Sequence, residues 1–130
     1  MARAYTIATA ALALGVPPKW LDNTLSHFRI QGVHQARQGV ARRLTMEALL
    51  PLATSIALTR ELGIPLARAL DLARNIITSD GKIAFGNRLA ISTDLVATRA
   101  ELLRQLEHAV EVAPLPRRGR PPKNKTGRLE

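Results

Sequence analysis

Cysteine is absent from this chain, and aromatic side chains are nearly so: one Trp, one Tyr and two Phe make up 3% of 130 residues. The first absence excludes disulfides, thiolate metal sites and thiol redox sensing. The second means that the 46% of hydrophobic residues must build a core mainly from Leu, Ile, Val and Ala. Ala and Leu favour helix, so the composition predicts a mainly α protein, long enough for one compact domain plus a tail. Also missing is any apolar run of the roughly 18–20 residues that span a bilayer, and no membrane partner is expected. Arg3 and the Ala-rich run after it superficially resemble a signal peptide. The run is short, however, and broken by Thr6 and Thr9, so the expected location is cytoplasmic.

Catalytic constellations are missing too. His27, His34 and His108 lack metal-ligand spacing, no carboxylate pair accompanies a nucleophile, and no phosphate-cradling Gly loop occurs. Neither an enzyme nor a bound metal or cofactor is expected.

Positive charge is plentiful: the net charge is +9, unevenly placed. Residues 1–45 carry six Lys or Arg against one Asp, a net +5. Residues 46–113 carry seven against eight acids, a net −1, and residues 114–130 carry six against one, a net +5. Two basic ends around a neutral middle suit two nucleic-acid contacts flanking a packing or oligomerisation element.

The segment Tyr5 to Arg43 organises the first basic region. Ala8 to Leu14 reads as a short helix, and Gly15 ends it because a left-handed cap costs glycine almost nothing. Pro17 and Pro18 start a second helix, since proline suits a first helical turn. Trp20 or Leu21, Leu25 and Phe28 then recur at spacings of three and four, one inward face. Lys19, Asp22, Asn23, Ser26 and His27 fall mostly on the other side. Two short helices about a tight turn make a helix-turn-helix, whose second helix can lie in the major groove. Lys19, Trp20, Asn23, Thr24 and His27 are its candidate DNA contacts, because Asn can read adenine and Lys guanine or phosphate.

Arg29 to Arg43 contains no acid. Val33, Gln35, Val40, Arg42 and Leu44 can be laid on two strands with Ala36 to Gly39 at the tip, forming a hairpin or wing; a solvated loop is the alternative. Arg29, His34, Gln35, Arg37, Gln38, Arg42 and Arg43 are its candidate contacts to a polyanion.

With Tyr5-Thr6-Ile7, Ala11, Leu14-Gly15-Val16, the basic stretch ending Arg42-Arg43-Leu44-Thr45, and Glu61-Leu62-Gly63-Ile64-Pro65-Leu66, residues 5–70 resemble the winged helix-turn-helix of the MerR superfamily, which includes small BldC-type and excisionase-like proteins. The family usually has an Arg-Tyr or similar aromatic pair where this chain has Asp22-Asn23-Thr24. The resemblance implies double-stranded DNA as partner and dimerisation through a C-terminal helix.

In the middle region, Thr45 and Glu47 open a helix with Leu49, Leu52, Ile56, Leu58 and Leu62 on its apolar face. Pro51 implies either a kink or a start near Leu50. Gly63 ends that helix, and Ile64-Pro65 starts another reaching about Thr78, with Leu66, Leu70, Ala73 and Ile77 inward. Lys82 to Phe85 and Leu89 to Thr93 read as a small hairpin about Gly86-Asn87, or as an irregular loop. A last helix begins at Thr93 or Asp94 and ends near Val112. Its apolar surface, with Val96, Leu102, Leu103, Leu106 and Val110, is too wide for a lone exposed helix and must pack on the body, on a second copy, or on both. These five residues are the candidate homodimer contacts.

Past Ala113 the composition changes to four prolines and six basic residues, which cannot form a core and predict disorder. Arg118-Gly119-Arg120-Pro121, flanked by Arg117, Lys123 and Lys125, resembles an AT-hook, which implies insertion into the minor groove of A·T-rich DNA.

The expected organisation is therefore a winged helix-turn-helix with a following helical pair (1–78), a hairpin plus dimerisation helix (79–112) and a disordered basic tail (113–130). The expected function is DNA binding in transcription control within the nucleoid. Excisionase-like or plasmid-maintenance DNA architecture uses the same contacts, and RNA binding or scaffolding is the alternative from another class.

Overall fold

A computed structural model describes residues 3–112 with the exception of 36 and 38. The chain runs β1 (Tyr5–Thr6), α1 (Ile7–Leu14), α2 (Pro18–His27), β2 (Val33–His34), β3 (Arg43–Leu44), α3 (Met46–Leu62), α4 (Leu66–Thr78), β4 (Lys82–Phe85), β5 (Leu89–Ser92) and α5 (Leu95–Val112). The architecture is mainly α, with two small antiparallel sheets among the described residues.

Local chemistry sets the first helical pair. Thr6 caps α1, its Oγ1 accepting from the Thr9 amide at 3.2 Å. At the other end the Gly15 amide donates to Leu12 O (3.2 Å) and the Val16 amide to Ala11 O (3.0 Å). Gly15 sits at φ 72°, so α1 closes in a Schellman motif that satisfies the Ala11 and Leu12 carbonyls. Pro17 leads into α2 in an extended conformation and Pro18 is its first residue, where a missing N–H costs nothing.

Only the base of the wing is paired: Val33 and Leu44 lie on strands, whereas Gln35, Val40 and Arg42, also expected there, lie in the connection between β2 and β3. β3 pairs with β2, Val33 opposite Leu44 and His34 opposite Arg43. It also pairs with β1, Tyr5 opposite Leu44 and Thr6 opposite Arg43. The return strand of the wing is thus the centre of a three-stranded sheet, held on its far side by residues just ahead of α1.

Several expectations for the middle are corrected. Of the two alternatives raised by Pro51, the start near Leu50 is not taken: α3 begins at Met46, directly after Thr45, and continues through Pro51. Thr45 precedes it, but its hydroxyl donates to Gly32 O at 3.1 Å and makes no cap bond. Leu62, expected on the apolar face, is 59% exposed. In α4 Ile76 is fully buried, whereas Ile77, expected inward, is only half-buried. Phe85 pairs with Leu89, so the β4–β5 loop holds three residues, Gly86 to Arg88, and not a two-residue Gly-Asn turn. Asp94 is the cap of α5, its Oδ1 accepting from the Ala97 amide at 2.9 Å.

The main core joins Ala10, Ala11 and Leu14 of α1 with Leu21, Leu44, Leu49, Leu52, Leu70, Leu102 and Leu106. Burying each of these leucines contributes roughly 1.5–3 kcal/mol. Because α5 packs on α1, its Leu102 and Leu106 belong to the same core as the head. A second cluster of Leu58, Ala69, Leu72 and Ile76 is covered by Ile83, Phe85 and Ile91 of the β4–β5 hairpin and by Leu95. No helix among the described residues is long and apolar enough to cross a membrane.

Candidate nucleic-acid interface

α2 divides its side chains by face. Leu21 and Thr24 are buried, and Trp20, Leu25 and Phe28 are half-buried against the core. Lys19, Asp22, Asn23, Ser26 and His27 are exposed. Lys19, Asn23 and His27 follow one another at four-residue intervals, so they stand in a single outer row. His27 Nδ1 lies 2.8 Å from Asn23 O, a contact that needs the proton on Nδ1 and leaves Nε2 for a partner.

Two of the five residues assigned to this row do not belong to it. Thr24 is 5% exposed and its Oγ1 donates to Trp20 O at 2.8 Å, so its hydrogen-bonding capacity is spent inside the protein. Trp20 packs on the core side, where its large apolar surface gains more than it would in water.

On the wing, Leu44 is buried and Val33 half-buried, and this pair points inward. The pleat therefore puts the opposing pair His34 and Arg43 outside, and both are exposed. The loop beyond them is drawn together by Gln35 Nε2 donating to Val40 O at 2.7 Å and by the Val40 amide donating to Arg37 O at 3.1 Å. Gln35 thus spends one donor on the wing itself, and Arg37 is exposed near its end. Gln38 lies outside the described residues.

Arg42 departs from its expected role. Its Nη1 lies 2.8 Å from Asp22 Oδ1, 3.2 Å from Ser26 Oγ and 3.3 Å from Asp22 O. The guanidinium fastens the wing to α2, and its charge is answered by Asp22 before any ligand arrives. Sequence reasoning passed over Asp22 and Ser26 as its partners. Their four-residue spacing on α2 was the available signal, but the approach of the wing was not. Arg29 is likewise not brought to the wing. It opens on a separate cleft with Gln31, Glu47, Pro51 and Arg74, and its carbonyl accepts from Arg74 Nη2.

Between α2 and the wing lies a cleft of about 640 Å³ bordered by Pro18, Lys19, Asp22, Ser26, Gln35 and Arg42. Lys19 and Arg43 have no carboxylate within 4.0 Å among the described residues. Of these two cations Lys19 borders the cleft, and Arg43 stands on the outer face of the wing. No group of three His, Asp or Glu that could hold a metal ion occurs among the described residues.

The five α5 residues assigned to dimer contacts divide in two. Leu102 and Leu106 are buried in this chain's own core and are not available to a second copy. Val96, Leu103 and Val110 are 82%, 41% and 43% exposed. The AT-hook-like residues Arg117, Arg118, Gly119, Arg120, Pro121, Lys123 and Lys125 lie outside the described residues. No protein-family model, curated protein or solved structure matches this chain.

Proposed function

We propose that this protein binds double-stranded DNA as a MerR-like transcriptional regulator. The outer row Lys19, Asn23 and His27 enters the major groove, while Arg43, His34 and Arg37 of the wing follow the phosphates. The observation that carries the reading is the α2–wing pair itself: a polar helix face beside a basic hairpin, with Lys19 and Arg43 lacking carboxylate partners among the described residues. Such an arrangement suits phosphate contacts that position and helix contacts that specify. The basic tail adds a second, minor-groove contact on A·T-rich DNA, and its tether raises the effective concentration of that contact. Val96, Leu103 and Val110 recur every seven residues and remain exposed, a stripe suited to a homodimer.

A salt titration of duplex binding tests this, comparing the full chain with one ending at Ala113 on A·T-rich and G·C-rich duplexes. Each phosphate contact contributes about 0.9 to the slope of log affinity against log salt. Truncation is expected to lower the slope by several units and remove an A·T preference while leaving residual binding by the head. If neither form binds duplex DNA, the reading fails.

A further inference from the structure

The exposed stripe of α5 is symmetric about its middle. Val96 and Val110 lie seven residues before and seven after Leu103, and all three are exposed. At about 100° per residue the stripe stands roughly a quarter turn from Leu102, Leu106 and Ala109, which α5 buries. It is therefore a separate face from the one that α5 turns to the core.

The charges beside the stripe follow the same symmetry. Arg99 and Glu107 stand four residues before and four after Leu103, one on each side of the stripe. Both are exposed, and neither has an opposite charge within 4.0 Å among the described residues. Arg104, by contrast, is paired with Glu101 one turn away, and Gln105 Nε2 donates to the same carboxylate at 2.8 Å.

We propose that α5 joins a second copy of this chain antiparallel, about a two-fold axis at Leu103. Leu103 then meets its own counterpart, Val96 meets the partner's Val110, and Arg99 comes level with the partner's Glu107, each twice. A two-fold interface demands this self-complementarity, since one patch must present both halves of every pair. An identical helix, reversed, supplies the matching valine and the opposite charge at each level. A parallel pair in register offers the same apolar contact but sets Arg99 level with Arg99 and Glu107 with Glu107, which is repulsive. The inference rests on the homodimer reading above and not on DNA binding. Three aliphatic side chains per copy make less than a standard interface, so association in the range of about 10 µM–1 mM is expected.

Because the chain has no cysteine, introduced thiols report the pairing directly. A disulfide needs Cα atoms within about 7 Å. In the antiparallel pair the two Val96 positions stand roughly 21 Å apart along the helices, at about 1.5 Å per residue. Full-length Val96→Cys and Val110→Cys are oxidised separately and as a mixture, above the dimerisation midpoint measured by sedimentation, alongside Leu103→Cys. Leu103→Cys is expected to crosslink to itself, and the mixture to crosslink at least about tenfold faster than either valine variant alone. Arg99→Glu and Glu107→Arg should each weaken dimerisation about fivefold, and both changes in one chain should restore it. Crosslinking of Val96→Cys to itself as fast as to Val110→Cys would overturn the antiparallel assignment and leave the homodimer standing. A double exchange no better than the single ones would do the same. A chain monomeric by sedimentation up to about 1 mM would overturn both.

Discussion

Arg42 and Asp22, 20 residues apart in sequence, meet with Nη1 and Oδ1 2.8 Å apart. The Arg42 side chain is 23% exposed and that of Asp22 57%. This pair joins the wing to the helix proposed to enter the major groove, so the spacing of the two elements is set before DNA arrives. It also places the one acidic residue of the region beside the surface proposed to meet phosphate.

Neutralising that acid separates the two roles. Asp22→Asn should cost less than about 1 kcal/mol in urea unfolding, because an exposed pair is screened by water. It also removes a like charge from the DNA face and releases Arg42. Duplex affinity at low salt should rise, and the salt slope should steepen by about 0.9. A slope equal to that of the parent protein would mean that Arg42 stays clear of phosphate even when freed.

Neighbouring leucines on α5 should behave oppositely. Leu106 is fully buried, so Leu106→Ala should destabilise the fold by about 2–5 kcal/mol. Leu103, 41% exposed, should cost under about 1 kcal/mol as Ala by unfolding at dilute concentration. Leu103→Glu should shift sedimentation toward monomer if the Val96–Leu103–Val110 stripe joins two copies. An unchanged sedimentation profile removes the stripe from the dimer proposal.

At the base of the wing, Gly32 has φ 92°, and a Cβ there would fall 2.6 Å from the Ala48 nitrogen and 2.7 Å from Thr45 Oγ1. Both are held close by Thr45 donating twice to Gly32 O. Gly32→Ala adds this contact to a backbone penalty of roughly 1–2 kcal/mol. A total loss of about 2–4 kcal/mol is expected by denaturant unfolding. A loss below 1 kcal/mol would show that the wing base moves aside easily.

Two pairs of substitutions distinguish the DNA contacts. Arg118→Ala with Arg120→Ala should lower affinity for A·T-rich duplex while leaving the melting temperature unchanged, since the tail carries almost no apolar residues. Lys19→Ala with Asn23→Ala should reduce the preference for a selected site more than general duplex binding. Uniform weakening on all sequences would assign Lys19 and Asn23 to phosphate contacts alone.

Much of the helical layout is written locally. Gly15-Val16-Pro17-Pro18 and Gly63-Ile64-Pro65 stop one helix and start the next, because cap and proline geometry act within a few residues. The inward face of α2 likewise follows from three- and four-residue spacing, as does the outward placement of Lys19, Asn23 and His27. That the chain turns back on itself between Val33 and Leu44 was legible from its residues, although the two-residue length of the strands and their pairing with Tyr5–Thr6 were not: a two-residue strand exists only where a partner strand meets it.

What the sequence determined, then, is where the chain bends, which helix faces are apolar and where positive charge gathers, all short-range or additive properties. The tertiary structure alone decided which apolar stripe of α5 is spent on α1, since Leu102–Leu106 and Val96–Leu103–Val110 are both compatible with helical periodicity. It also decided that Arg42 is answered by Asp22 while Arg43 has no such carboxylate among the described residues, and that the Thr59 hydroxyl is buried without a partner while those of Thr54 and Ser55 bond to their own helix. Those distinctions depend on residues brought together from distant parts of the chain, and no local propensity encodes them.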